Sequence, residues 1–339
     1  MGFFLQPIIP NDVCNVKTRV SATEHSEYVR VNASITQGLA TVDSLLHVLR
    51  ALGAELVDPS ERDNLNPLII PLGRKEDGAL VALLRLPRAK DAKDMAVVQT
   101  RPNSTYLELL ARTPDEFIHR YLAEEDWNNA AENISERPVA AAAGEYGLRL
   151  YEQGNVQRSG LPSLHAYVAR RVGMFLDVSE ALVQAHFDKN DSMSALITAE
   201  WYMRDGQFPN WGKPYEYVSD LMIHRLHRRE EGRDIARLAL KTPWWTLEKG
   251  FEHSKGNSGL EGDADGIRRI LLEQEEANMG AMQMGKPFKS NEDERLEEAS
   301  HLLNKVVAGE LQWSDILHDL EEKYELAGLI DMARFVAMI

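Results

Sequence analysis

The sequence predicts a small α+β domain at the N-terminus followed by an all-α array of helical hairpins. Two observations carry that reading. Before Pro102, β-branched and apolar residues fall in short alternating or continuous runs, whereas from Tyr106 onward they recur at three- and four-residue steps. A third observation is the punctuation, because glycine or proline stands at the end of most of the later apolar stretches.

In chain order, residues 13–20 and 28–34 carry β-branched side chains in loose alternation and read as strands. Residues 36–52 place Leu39, Val42, Leu45, Leu46, Leu49 and Leu52 along one helical face, with Gly53 as the stop. Apolar runs at 67–72 and 79–86 flank a polar loop, 73–78, that has glycine at both ends, which predicts a hairpin. Residues 95–100 supply a further strand after the polar stretch 87–94.

Beyond Pro102, Ser104 or Thr105 caps a helix carrying Leu107, Leu110 and Ala111. Thr113-Pro114-Asp115-Glu116 opens the next one with proline in its first turn, presenting Phe117, Tyr121 and Leu122. Helices continue over 139–150, 162–176 and 179–187. Ser192 caps another, which runs to Met203 and ends at Gly206. Pro214 opens a helix with Val218, Leu221, Met222 and Leu226 on one face, and 233–241 forms a shorter one stopped by Pro243. Five glycines in 250–266 predict a flexible connector. Helices follow over 267–277, 291–308, 314–327 and 329–338. The expected domains are therefore 1–104 (α+β), 105–250 (helical-hairpin array), 251–266 (acidic, Gly-rich linker) and 267–339 (acidic helical subdomain).

Short antiparallel helices joined by short loops predict a TPR-like α-solenoid or an irregular bundle, and no repeat of fixed period is present. The stretch 218–243 resembles one tetratricopeptide-type hairpin, with Ala236 where a small residue lets two helices approach and Pro243 at its end. It departs from that family in lacking the Trp-Leu-Gly-Tyr pattern of the first helix. Residues 233–245, ending in Pro243-Trp244-Trp245, also resemble a segment of plastid proteins of plants and algae. That resemblance implies an organellar role such as assembly of photosynthetic machinery.

Composition narrows the classes of partner. The chain has 53 Asp and Glu against 38 Lys and Arg, a net charge of −15, which opposes attraction to nucleic acid and to anionic membrane surfaces. Ten of those net negative charges lie after residue 250, where 19 acidic residues face 9 basic ones, so a protein partner with a basic surface is the complementary expectation. Cys14 is the one cysteine and cannot form an internal disulfide, which points to a reducing intracellular compartment. The sequons at Asn32, Asn103, Asn133 and Asn190 are then read as coincidental. No run of about 20 apolar residues predicts a transmembrane segment. The opening Met-Gly sequence has Gln6 where myristoylation requires Ser or Thr. The expected location is the chloroplast if the N-terminus is a processed or truncated form, and otherwise the cytoplasm. Oligomeric state is not legible.

Among candidate sites, the aromatic segment stands out. Four of the six tryptophans lie between 201 and 245, and Trp201, Tyr202, Trp211, Tyr215, Trp244 and Trp245 sit at helix ends and loops. Large amphipathic rings in such places either bury a helical joint or anchor a partner. The six are the candidate partner-binding residues, with Trp211 and Trp244 expected to line a groove. His224 and His227, with Glu216 and Asp220 one and two turns earlier, have metal-ligand residue types. Taking Val218, Leu221, Met222 and Leu226 as the buried stripe puts Glu216, Asp220 and His227 on a solvated face, so no metal site is expected. Phosphate-binding loops and EF-hand loops are lacking, and neither a cofactor nor a catalytic residue is predicted. The function expected is a noncatalytic scaffold, assembly factor or complex subunit. The opposing reading is an enzyme with a site between the two domains, where Glu116, His119, His165 and His186 would have to converge.

Overall fold

The structure, a computed structural model, describes residues 21–204, 206–281 and 290–339. The strand expected at 13–20 and Cys14 lie outside the described residues. An N-terminal antiparallel sheet followed by a helical array is the observed architecture.

The described residues begin with α1 (Ala22–Val31), where a strand was expected over 28–34. A capping box explains the difference: the Ser21 hydroxyl accepts from Glu24 N at 3.3 Å while the Glu24 carboxylate accepts from Ser21 N at 2.7 Å. That nucleus commits the following ten residues to a helix despite their β-branched content. Helix α2 (Leu39–Ala51) is the predicted amphipathic one and buries Val42, Leu45, Leu46, Val48 and Leu49.

Five strands follow as a meander in the order β1 (Glu55–Leu56), β2 (Ile69–Arg74), β3 (Leu80–Leu84), β4 (Ala96–Thr100) and β5 (Glu108–Ala111). The predicted hairpin is β2–β3, in register Ile69↔Leu84 and Ile70↔Leu83, with Gly78 in the left-handed region that its turn requires. β5 corrects the helix expected around Leu107. There, Leu109 and Ala111 are buried while Glu108 and Leu110 are half-exposed, a period of two, and the segment completes the free edge of β4. The sheet thus runs past 104, where the first domain was expected to end. β3 is buried at all five positions, so the sheet is covered on both faces.

The helical part comprises α3 (Pro114–Glu132), α4 (Pro138–Leu150), α5 (Asn155–Arg158), α6 (Leu164–Tyr167), α7 (Leu176–Asp188), α8 (Ser192–Tyr202), α9 (Lys213–Asp220), α10 (Arg229–Ala239), α11 (Gly250–Ser258), α12 (Ala264–Ala281), α13 (Asn291–Val307), α14 (Trp313–Leu326) and α15 (Ile330–Ala337). Thr113 caps α3 as expected, accepting from Glu116 N at 3.1 Å. The helix predicted over 162–176 is broken instead, because α6 passes into a π-helical turn that ends at Gly173. Helices α9 and α10 form the expected hairpin. Ala236 is buried in it, and at Gly232 a Cβ would come within 2.4 Å of Ile223, so glycine sets that approach.

Two differences matter for function. The glycine-rich stretch expected to be a flexible linker forms α11 and the start of α12, and buries Phe251, Ser254 and Ser258. Two of its glycines stand at the ends of α11: Gly250 and Gly259 both have φ near the left-handed value. The chain also closes on itself. Buried Arg62 donates to the carbonyls of Ile69 (3.2 Å), Pro67 (2.5 Å) and Phe335 (2.8 Å), and its guanidinium lies 3.8 Å over the Phe335 ring. Arg85 adds contacts to the Ala33 carbonyl at 2.8 Å and Met332 sulfur at 2.7 Å. The last helix is therefore seated on the first domain, whereas in a solenoid each hairpin touches only its neighbours. One hydrophobic cluster runs from Val29 through the sheet to Val336, with a smaller one around Trp244, Phe251 and Ile267.

Candidate functional site

The six aromatic candidates fall into two groups. Tyr202, Trp211, Trp244 and Trp245 are at most 5% exposed and belong to the packed interior. Trp244 stacks on Phe251 with centroids 4.0 Å apart, and its indole donates to the Leu240 carbonyl at 2.9 Å. It fastens the second cluster and lines no groove, contrary to expectation. Tyr202 donates to Glu180 at 3.1 Å and meets Phe208 and Tyr217 edge-on. Trp201 and Tyr215 are half-buried, packed on the larger and the smaller cluster respectively. These rings build helical joints because the loops that carry them turn inward.

Trp211 and Trp245 are packed edge-on at 5.6 Å, and together they form part of the wall of a cavity of about 720 Å³. The sheet contributes Leu84, Ala96 and Leu109, α13 contributes Leu296 and Leu303, and Tyr324 closes one side. Both indole Nε1 groups are buried without an acceptor, a cost of roughly 1–3 kcal/mol each. Cations on the rim are already paired. Arg88 binds Glu292 at 2.8 Å and Asp293 at 2.7 Å, tying the end of the sheet to the start of α13. Arg112 binds Glu116 at 2.5 Å, and Lys241 lies 3.6 Å from Glu275. What remains is an apolar concavity, suited to holding an apolar side chain or helix turn. Sequence reasoning missed Leu86, Leu109, Leu296 and Leu303 as its walls; each reads as an ordinary core leucine.

The four residues of the enzymatic reading do not meet. Glu116 pairs with Arg112; His119 sits among the rings of Tyr151 and Tyr167 at 5.7 and 6.4 Å, where burial lowers its pKa. His165 is exposed and His186 half-buried at the end of α7. No hydrogen bond or ion pair joins any of the four to another, and none lines the cavity.

The expected solvated face of α9 is corrected. Glu216 is 3% exposed, accepts from Lys249 N at 3.1 Å through both oxygens, and lies 3.4 Å from the Ser254 hydroxyl. Asp220 binds Lys249 Nζ (2.6 Å), His253 Nε2 (2.8 Å) and Asn257 Nδ2 (2.8 Å). Water is expected on this face when Val218, Leu221, Met222 and Leu226 form the one buried stripe; α11 covers the opposite side as well. Burial raises the Glu216 carboxyl to about 7, while the hydrogen bonds from Lys249 and His253 outweigh burial at Asp220 and lower its pKa. Among the described residues, no group of three or more His, Cys, Asp or Glu is arranged to hold a metal ion. No described helix is long and apolar enough to cross a membrane.

Family models cover nearly all of the described chain in three consecutive segments: PAB N-terminal over 23–171, PAB middle domain over 176–261 and PAB C-terminal domain over 271–338. The chain belongs to the PAB family. It is 33% identical over 342 residues, 99% of each chain, to the Arabidopsis thaliana protein named "Protein IN CHLOROPLAST ATPASE BIOGENESIS, chloroplastic". No solved structure matches. The first two segments meet at the break after Gly173, and the cavity is lined by residues of all three.

Proposed function

We propose that this chain is a noncatalytic assembly factor of the chloroplast, which holds an apolar element of an ATPase subunit in the Trp211–Trp245 cavity while the enzyme is built. The observation that carries the reading is the cavity's position at the meeting point of all three family segments. Full-length similarity to a relative named for chloroplast ATPase biogenesis supports the process and the compartment. The acidic excess of the C-terminal third favours a client with a basic surface, steered by long-range attraction.

The test replaces two cavity-wall residues that are not fully buried, Leu86 and Leu296, each with glutamate. Tagged wild-type protein recovered from chloroplasts should carry ATPase subunits, and the double variant should carry about tenfold less, a loss of roughly 1.4 kcal/mol. Its melting temperature should stay within a few degrees of wild type. Equal recovery of the subunits by the double variant would remove the cavity from the mechanism.

A further inference from the structure

The wall of the Trp211–Trp245 cavity includes two polar side chains that the protein itself does not use. Tyr324, on α14, is 1% exposed, yet its hydroxyl makes no hydrogen bond among the described residues. A buried hydroxyl in that state is costly unless something else meets it. The indole nitrogens of Trp211 and Trp245 also lack acceptors, but protein encloses them, whereas the Tyr324 oxygen is not sealed in that way. Burial raises its pKa, so the group keeps its proton, and a phenol donates better than it accepts because its lone pairs are shared with the ring. Other polar groups of the wall are committed or closer to solvent. The Thr242 hydroxyl donates to the Ala239 carbonyl at 2.6 Å and the Asn304 side-chain oxygen accepts from Trp244 N at 2.9 Å, while Asn210 is exposed and Ser300 half-buried.

The second side chain is Asp94, exposed just before β4. Of the six charged side chains in the wall, it alone makes no ion pair or side-chain hydrogen bond among the described residues. Arg88 and Asp293 hold each other, Arg112 is taken by Glu116, Lys241 lies 3.6 Å from Glu275, and Glu297 has a partner of its own. Lys90 and Lys93 are close to Asp94 along the chain, but neither lines the cavity nor pairs with it. Each cation of the wall is thus matched by a carboxylate, and one carboxylate is left over.

We infer that the occupant of this cavity is the C-terminal turn of a client helix, apolar on its inserted face and carrying Lys or Arg beside it. The inference rests on the cavity being the client site. In it, the Tyr324 hydroxyl donates to a free main-chain carbonyl of the client, and Asp94 pairs with the client's cation. One kind of element supplies both: the last four carbonyls of a helix have no partner within the helix, and cations are favoured in its last turn. An N-terminal turn presents N–H donors and favours acidic side chains, which suit neither a hydroxyl that needs an acceptor nor a carboxylate that needs a cation. Asp94 belongs to the first family segment and Tyr324 to the last, so the two anchors face one occupant only when the chain is closed on itself.

Binding of labelled peptides to the full chain, followed by fluorescence anisotropy, tests this. The reference peptide is a helix former of about 15 residues, with leucines on one face of its final turns, a lysine in the last turn and an amidated end. A second peptide has glutamate for that lysine, and a third carries the leucines and the lysine in its first turns instead. Wild-type protein should bind the reference several-fold more tightly than either. Tyr324→Phe, which removes an oxygen without a protein partner, should weaken the reference by about fivefold and leave the melting temperature unchanged or slightly raised. Asp94→Lys should invert the order of the lysine and glutamate peptides. No binding of the reference, equal binding of the three peptides, an unchanged affinity in Tyr324→Phe, or an unaltered preference in Asp94→Lys would each overturn the inference. The Leu86→Glu, Leu296→Glu double variant separates this from the cavity reading itself. If it loses the ATPase subunits while Tyr324→Phe and Asp94→Lys recover them as wild type does, the cavity holds its client in another way and only this inference falls; if it keeps them, both fall.

Discussion

Glu216 shows how one residue's surroundings reverse its meaning. As a glutamate on a polar-looking face it reads as solvated, yet both oxygens hold the backbone at the start of α11, in a site 3% exposed. Burial raises its pKa to about 7 from the ordinary 4.5. The folded state therefore binds the proton more tightly than the unfolded one. Its stabilising contribution is complete below the unfolded value and is lost as the pH rises through about 7, on the order of 3 kcal/mol in all. Glu216→Gln keeps an acceptor for Lys249 N and removes the charge. Melting curves at about pH 6 and about pH 8 should show the variant gaining on wild type at the higher pH. A constant difference would mean that Glu216 is not held protonated by the fold. The tryptophans teach the complementary lesson. Their type and clustering were legible, but whether a ring at a helix end turns inward is set by what packs on it. For Trp244 that is Phe251, seven residues on, in a segment that reads as linker.

At the scale of elements, local signals served well where they acted alone. Thr113-Pro114 started α3, Gly53 followed α2, and the polar loop with flanking glycines made the β2–β3 hairpin. They misled where partners decide. β5 has too few residues for its alternation to outweigh a helical reading, and is a strand because β4 offers an open edge. α11 has two glycines and is a helix because Phe251, Ser254 and Ser258 are covered by the rest of the fold. Hydrogen exchange separates those descriptions. Amides of 252–258 should be protected by several orders of magnitude, as tertiary packing requires, and exchange within seconds would restore the connector reading.

At the scale of the molecule, the division into an N-terminal sheet domain and a helical remainder was readable from the change in apolar period near residue 102. The return of α15 to the first domain was not, because nothing local in Arg62 announces a carbonyl partner 273 residues away. That contact joins the first and last family segments and predicts shared unfolding. Scanning calorimetry should give a single transition. Arg62→Met, which leaves the Pro67, Ile69 and Phe335 carbonyls without their buried donor, should lower it by an amount corresponding to roughly 2–5 kcal/mol without splitting it. A separate, early transition for the C-terminal helices would contradict the closure. Seating of Phe335 also orders events at the ribosome. The sheet forms early in synthesis, yet the residues that cover part of its surface emerge last, so a nascent or prematurely terminated chain presents bare apolar strands to whatever is nearby. Quality control has an unambiguous mark to read: a chain that lacks its final turn of helix has left a pair of arginines waiting.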